Sequence, residues 1–212
     1  MDNIAIILAG GVGSRFDNNL PKQFYIINNK PVLYWTVLNF QKSNLFDKIV
    51  VVVPQDYIDK TQKTLDNVEI CLGGNSRQES LYNAVSKTDN SKIVSHCACR
   101  PIVSKKIIEK NLQMIKKNNC VDTVRYVYDT MIYDNKFIER EKVYIGLTPQ
   151  SFYSDNYINA YQNSFNPQNY SCACSLMNSF GYDLELLKTN ELIYKITTKE
   201  DLSIIEKMLP YD

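Results

Sequence analysis

The chain has 212 residues, which is enough for one domain with a full hydrophobic core and a small appendage. Its 24 basic and 23 acidic residues nearly cancel, so the composition predicts neither a nucleic-acid surface nor a membrane-binding patch. The first apolar run, residues 4–9, is too short for a signal sequence or a bilayer span, so we expect a cytoplasmic protein without disulfides.

The first hundred residues alternate between short apolar runs and helical patterns. The runs at 3–9, 48–54, 68–72 and 92–97 are typical of strands buried on both faces. Helical patterns separate and follow them at 31–43, 55–65, 77–87 and 104–118, the last with Ser104 as its N-cap. This order predicts an α/β fold with a mostly parallel sheet covered by helices on both sides.

After Asn119 the pattern changes to alternating residues, with a turn at Asp134 and Asn135. We interpret residues 122–148 as a β-hairpin arm inserted in the α/β domain. The chain then returns to a helix, a strand at 182–188 and a last helix at 198–208. We find no repeat or linker, so the expectation is a single domain over residues 1–212.

A glycine-rich stretch, "LAGGVGSRFDNNLPKQF", directly follows the first strand and so falls at the carboxyl edge of the predicted sheet. It matches neither G-x-G-x-x-G nor a Walker A loop. Gly10, Gly11 and Gly13 would let backbone N–H groups approach an anion, and Arg15 and Lys22 would add positive charge. This combination favours a triphosphate site; the alternative is a tight turn with two solvated cations.

The stretch "GGNSRQES" is a helix start in which Ser76 is the predicted N-cap and Glu79 closes a capping box. The chain has one histidine, His96, and no recognisable catalytic triad.

Nine motifs occur in the order and near the spacing found in the cytidylyltransferases that act on methylerythritol 4-phosphate and ribitol 5-phosphate, and the chain resembles that family over almost its whole length. The motifs are "LAGGVGSRF", "PKQF", "KPVLYWTVLNF", "GGNSRQESLYNAV", "HCACRPIVS", "VDTV", "DT", "TPQSF" and "KITTKEDL". The resemblance implies a three-layer, Rossmann-like nucleotide-diphospho-sugar transferase fold. It also implies transfer of CMP from CTP to a small polyol or sugar phosphate, release of pyrophosphate, and a homodimer joined by the arm.

The resemblance also implies residue roles. The catalytic cations would be Arg15, Lys22 and Lys195. The nucleotide would be bound by Ala9, Gly10, Gly11, Gly13, Gly74, Asn75 and Ser80. The acceptor phosphate would be bound by Arg100, Thr130 and Arg140, with the arm residues coming from a partner subunit.

Four of the six cysteines form two Cys-Ala-Cys segments, at 97–99 and 172–174. Members of the resembled family have aspartate where Cys97 and Cys172 stand, which implies that both positions belong to one site, the former binding Mg²⁺. They have asparagine where Ile193 stands. A thiol is a poor Mg²⁺ ligand, so metal binding at Cys97 is in doubt. Either Mg²⁺ is carried by CTP and water, or catalysis or the ligand has changed, or the four thiols form a zinc site.

The remaining cysteines, Cys71 and Cys120, are predicted core residues. Two hypotheses follow for the whole chain: a CTP-dependent cytidylyltransferase, or a catalytically weakened relative that binds nucleotide as a scaffold. The sequence does not select the acceptor. We favour one similar to ribitol 5-phosphate, because an enzyme of isoprenoid synthesis would be expected to keep its metal position.

Overall fold

The computed structural model describes residues 1–11 and 20–209. Its strands are β1 (Asn3–Leu8), β2 (Ile26–Ile27), β3 (Lys30–Pro31), β4 (Lys48–Val53), β5 (Glu69–Leu72), β6 (Lys92–Cys97), β7 (Asn119–Tyr126), β8 (Met131–Tyr133), β9 (Lys136–Ile138), β10 (Tyr144–Tyr153) and β11 (Asp183–Thr189). Its α-helices are α1 (Val32–Ser43), α2 (Ile58–Thr64), α3 (Arg77–Val85), α4 (Lys105–Met114), α5 (Ser154–Asn163), α6 (Ala173–Ser179) and α7 (Glu200–Met208).

Seven of these strands form one central sheet in the order β11-β7-β10-β6-β1-β4-β5. Most neighbouring strands are parallel, so the predicted arrangement is confirmed. β1 pairs in parallel with β4 and β6, β4 with β5, and β7 with β11. The exception is β10, which runs antiparallel to both β6 and β7.

The sheet is buried on both faces, as the strand patterns predicted. Along β1, Ala5 and Ile7 face a core that includes apolar residues of α1 and α4. The alternate residues Ile4 and Ile6 face a second core that includes residues of α3, α5 and α6. The period-2 alternation of a strand thus produces the three layers.

Two predicted helix caps are confirmed. The Ser104 side chain accepts a hydrogen bond from the Ile107 N–H at the start of α4. The Ser76 side chain accepts one from the Glu79 N–H at the start of α3. The Glu79 carboxylate, however, accepts from the Asn75 N–H at 2.7 Å, one residue before the position that a capping box predicts.

Between β7 and β10 the chain forms a small hairpin of β8 and β9, joined by the predicted two-residue turn. Asp134 and Asn135 have φ of 49° and 58°, the left-handed values that a type I′ turn requires. Most of this segment is exposed. The longer strands on either side of it, β7 and β10, belong to the central sheet.

Across residues 1–11 and 20–209, none of the helices has the length and apolar character required to cross a bilayer.

Candidate active site

A cavity of about 690 Å³ opens at the carboxyl edge of the sheet. Its wall includes the ends of three parallel strands of the sheet, at Leu8 of β1, Leu72 of β5 and Cys97 of β6. Open α/β sheets bind ligands at this edge because the connections there diverge. The described lining residues are Leu8, Ala9, Gly10, Gly11, Lys22, Gln23, Pro54, Gln55, Leu72, Gly73, Gly74, Asn75, Ser76, Arg77, Ser80, Cys97, Cys99 and Lys195.

The first glycine segment is held in place by Gln23, a residue that we did not predict. The Gln23 Nε2 donates to the Ala9 carbonyl at 2.5 Å and to the Gly11 carbonyl at 3.0 Å. Its side chain is almost fully buried, so these hydrogen bonds are shielded from water. Of the residues predicted for the nucleotide, Ala9, Gly10 and Gly11 thus line the cavity, whereas Gly13 lies outside the described residues.

The second glycine segment lines the same cavity. The Gly74 N–H donates to the Ser80 hydroxyl at 3.0 Å, which fixes the loop against the start of α3. A side chain at position 74 would collide with Glu79, since a Cβ added there would lie 2.3 Å from the Glu79 Cγ. Gly74, Asn75 and Ser80, which were predicted to bind the nucleotide, all line the cavity, with the Ser80 hydroxyl already bonded to backbone.

Three cationic side chains of the described residues line the cavity: Lys22, Arg77 and Lys195. Partial burial lowers the pKa of Lys195, and the neighbouring charges of Lys22, Arg100 and Arg77 lower it further, although the Cys97 thiol opposes them. The described part of the lining contains no carboxylate. An anion entering the cavity would therefore relieve repulsion among these cations.

Lys195 reaches the cavity because its segment is bound to the turn after β6. The Ile196 N–H donates to the Cys99 carbonyl at 2.9 Å. The Arg100 Nη1 donates to the Ile193 carbonyl at 2.6 Å. Ile193 itself is buried in the core, so this departure from the resembled family leaves an apolar packing residue beside a functional loop. Arg15, the other predicted catalytic cation, lies outside the described residues.

The first Cys-Ala-Cys segment lies in the cavity wall. Cys97 ends β6, and a turn closed by the Arg100 N–H and the Cys97 carbonyl at 3.0 Å carries Cys99 to the same wall. Interaction with the Cys99 side chain, helped by the charges of Arg77 and Lys195, holds the pKa of Cys97 well below its usual range. The same interaction, together with burial, raises the pKa of Cys99.

The second Cys-Ala-Cys segment lies elsewhere, and this corrects our expectation that Cys97 and Cys172 share one site. Cys172 is the N-cap of α6: its sulfur accepts from the Ser175 N–H at 3.4 Å, and the Ser175 Oγ accepts from the Cys172 N–H at 3.3 Å. Cys174 is buried beside Cys120 in the core, where burial raises the pKa of the Cys174 thiol.

The alternative in which the four thiols form a zinc site is therefore wrong for the described residues. They contain no group of three or more His, Cys, Asp or Glu side chains that could hold a metal ion. Neither Cys-Ala-Cys segment is extended throughout, so the alternation that would have pointed both thiols one way does not apply. Cys71 and Cys120 are buried core residues, as predicted.

The residues of the cavity also do not fit Mg²⁺ as protein ligands. This ion requires hard oxygen ligands in near-octahedral geometry. At the Cys97 position the wall offers a soft thiol, and no carboxylate stands among the described lining residues. No step of a mechanism can be derived through a protein-bound Mg²⁺ from these side chains.

Beside the cavity, Arg100 is largely buried near Asp122. Burial lowers the pKa of Arg100, and the charges of Arg77 and Arg125 act in the same direction. Burial also raises the pKa of Asp122 to about 6, although Gln150 donates to that carboxylate at 2.9 Å. The predicted acceptor residue Arg100 is thus next to the nucleotide cavity but is not part of the described lining.

The other predicted acceptor residues lie on the hairpin segment. Thr130 and Arg140 are exposed and do not line the cavity of their own chain. The Arg140 Nη1 donates to the Tyr128 carbonyl at 2.7 Å.

Several residues of the described wall were not predicted from sequence, among them Gln23, Arg77 and Cys99. None of these three residues was assigned to the nucleotide. Arg77 could have been found, because the first residue of a helix that begins at a strand edge lies close to that edge. Nothing in the sequence indicated that Gln23 bonds backward to the glycine segment.

These features define a class of protein: an α/β enzyme with a cationic, glycine-lined nucleotide cavity at the carboxyl edge of its sheet. A family model described as 2-C-methyl-D-erythritol 4-phosphate cytidylyltransferase (IspD) matches residues 3–210. The chain therefore belongs to this family of cytidylyltransferases. They are enzymes that move CMP from CTP to an alcohol phosphate and release pyrophosphate, and they work with a divalent metal ion.

Solved structures agree with this assignment. The 2-C-methyl-D-erythritol 4-phosphate cytidylyltransferase of Francisella tularensis is 26% identical, with a TM-score of 0.81 over 99% of this chain and 100% of that one. The bifunctional IspDF of Campylobacter jejuni is 27% identical, with a TM-score of 0.85 over 96% of this chain. This chain spans only 54% of that bifunctional protein. The 4-diphosphocytidyl-2C-methyl-D-erythritol synthase of Anaerococcus prevotii, at 22% identity and a TM-score of 0.81 over 97% of both chains, supports the fold alone.

Proposed function

We propose that this chain transfers CMP from CTP to 2-C-methyl-D-erythritol 4-phosphate. The family description names this acceptor, and it replaces our preference for ribitol 5-phosphate. The observation that carries the proposal is the cavity wall itself, in which Lys22, Arg77 and Lys195 accompany two glycine segments without a described carboxylate.

In the proposed reaction an oxygen of the acceptor phosphate attacks the α-phosphorus of CTP, and the bond from that phosphorus to pyrophosphate breaks. The nucleophile is already anionic near neutral pH, so the reaction needs no general base from the wall. Negative charge builds on the transferred group and on the leaving pyrophosphate. The residues therefore act by positioning the phosphates and by neutralising that charge.

We assign Lys22 and Lys195 to the triphosphate and the transition state, with Arg15 as a further cation by resemblance. Arg77 joins them because its charge acts on the Cys97 side of the cavity. Gly74, Asn75 and Ser80 would frame the cytosine, in a loop too tightly folded for a larger residue at position 74. Any Mg²⁺ would reach the cavity on the phosphate oxygens of the nucleotide, since the described wall offers no carboxylate ligand.

The acceptor side is proposed around Arg100, with Thr130 and Arg140 supplied by a second copy of the chain. The hairpin has large exposed apolar side chains, Tyr133 at 75% and Phe137 at 79%. Burying these against a partner would remove a costly exposed patch from a thin two-stranded element. Light scattering at micromolar concentration tests this homodimer, and a monomer would contradict it.

The test of activity is pyrophosphate release with CTP and either 2-C-methyl-D-erythritol 4-phosphate or ribitol 5-phosphate. We expect turnover with the former and little with the latter. Lys22→Ala should abolish most of it, whereas Lys63→Ala, an exposed lysine on α2 outside the lining, should not. Tight CTP binding without pyrophosphate release from either acceptor would instead favour a nucleotide-binding scaffold.

A further inference from the structure

The cavity wall contains two thiols on one turn, a feature that the transfer reaction does not use. Cys97 and Cys99 both line the cavity and are separated only by Ala98. The turn after β6, closed by the Arg100 N–H and the Cys97 carbonyl, brings both side chains to one wall. Three cations, Lys22, Arg77 and Lys195, line the same cavity.

We propose that Cys97 and Cys99 are a redox modification site, which a hydroperoxide converts to a disulfide that reversibly suppresses turnover. The regulatory half of this inference rests on the proposed cytidylyltransferase function. The disulfide itself does not.

The two thiols are already differentiated for such a reaction. The Cys99 side chain and the nearby cations favour the thiolate of Cys97, whose pKa is held well below its usual range. The pKa of Cys99 is raised, so it remains a thiol. A thiolate is the form that attacks peroxides, and an adjacent thiol is what resolves the product.

The oxidation of the two thiols takes place in two steps. The Cys97 thiolate attacks one peroxide oxygen, the O–O bond breaks, and the alkoxide or hydroxide that leaves takes a proton; Cys97 becomes a sulfenic acid. The Cys99 sulfur then attacks the Cys97 sulfur, which forms the S–S bond and releases water. Two equivalents of an external thiol reverse the change and are themselves oxidised to a disulfide.

The consequence for turnover follows from what Cys99 supports. Its carbonyl accepts the Ile196 N–H at 2.9 Å, a bond that holds the segment bearing Lys195. Its thiol also contacts the Gln23 Oε1 at 3.9 Å, and Gln23 holds the first glycine segment. Drawing the Cys99 sulfur onto Cys97 would disturb both. Oxidation also removes a negative thiolate, so CTP should still bind.

The same chain supplies an internal control. The side chains of Cys120 and Cys174 also interact with each other, but both are buried in the core and neither lines the cavity. A peroxide cannot reach them without unfolding. Cys172 is partly exposed, and its sulfur accepts from the Ser175 N–H rather than from a thiol.

The experiment is a titration of the purified full chain with hydrogen peroxide, followed by capping of free thiols and peptide mapping by mass spectrometry. We expect a linked Cys97–Cys99 peptide that has lost two hydrogens, protection by CTP, and unmodified Cys120 and Cys174. Turnover should fall, and dithiothreitol should restore it. Cys172→Ser should behave as wild type, while Cys99→Ser should yield no disulfide and should instead accumulate the Cys97 sulfenic acid, which dimedone labels.

Two results would overturn the proposal. Cys97 and Cys99 could stay reduced while Cys172 is oxidised, which would remove the modification site. Alternatively the disulfide could form without any loss of turnover, which would remove its regulatory role. If instead the reduced protein releases no pyrophosphate, the proposed function fails, while the peptide map still decides whether the disulfide forms. Because the map needs only wild-type protein, a misfolded variant would not obstruct the test.

Discussion

The two Cys-Ala-Cys segments have the same three residues and different tasks. The first ends a strand at the carboxyl edge of the sheet, so its thiols face a cationic cavity. The second begins α6, so Cys172 caps the helix and Cys174 enters the core on the first turn. The backbone position, rather than the side chains, decides whether a thiol is chemically useful.

The largest expected effect is on the cations around the first segment. Lys195→Ala should lower kcat by about 10² to 10³, because one preorganised charge is removed from the developing transition state. Steady-state pyrophosphate release measures this, with Lys63→Ala as the matched control. A loss confined to KM would mean that Lys195 binds substrate without acting in the transition state.

The order of the structural elements could be predicted because each strand of the first half is a distinct apolar run. Ser76 and Ser104 could be predicted as caps because their roles depend only on local sequence. The antiparallel direction of β10 could not be predicted, since an alternating pattern does not specify the direction of a partner strand. The shared site of Cys97 and Cys172 was inferred from a resemblance, and the local fold around Cys172 gives that residue a different task.

At the candidate site, the glycine segments and Lys22 could be predicted from short stretches of chain. Gln23 could not, because its hydrogen bonds to Ala9 and Gly11 depend on how the connection folds back. Cys99 was noted from sequence only as part of a Cys-Ala-Cys segment. Its position beside Cys97 in the cavity wall depends on the turn that follows β6.

The first segment is also preceded by a buried titrating group, His96. Burial lowers its pKa to about 4 from 6.5, although its Nε2 lies 3.0 Å from the Arg100 carbonyl oxygen, to which it can donate. The unfolded chain therefore takes up this proton first as the pH falls below about 6.5. Stability should be lost between about pH 6.5 and pH 4, by about 3 kcal/mol in total.

Urea denaturation across this range measures that loss.

Asp122 changes the stability in the opposite direction, because its raised pKa of about 6 means that the folded chain binds the extra proton. Its contribution to stability is present at low pH and is lost as the pH rises from about 4 toward 6. Asp122→Asn should thus steepen the acid loss, and His96→Phe should flatten it. An unchanged profile in both variants would contradict the assigned burial effects.

Serine substitutions should separate the segments by stability. Cys174→Ser puts a hydroxyl into an apolar core and should cost about 1–3 kcal/mol. Cys97→Ser puts the same hydroxyl at the wall of a polar cavity and should cost less than about 1 kcal/mol. Urea midpoints with an unchanged m-value report the difference. Equal losses would mean that the first segment is as much a packing element as the second.

The smallest effect concerns aspartate in place of the first cysteine of each segment. Cys172→Asp should stabilise the chain by about 0.5–1 kcal/mol, because a carboxylate is a better N-cap acceptor than a sulfur and interacts favourably with the helix N-terminus. It should leave the metal dependence of turnover unchanged. Cys97→Asp should instead add a hard ligand to the wall and lower the Mg²⁺ concentration needed for half-maximal turnover.

In the double variant the free-energy changes of the two substitutions should add within about 0.3–0.5 kcal/mol, since the residues belong to separate sites and share no ligand. A double-mutant cycle on both stability and half-maximal Mg²⁺ measures this. Coupling beyond that range would show that one ion joins positions 97 and 172, and the separation of the two segments would then have to be abandoned.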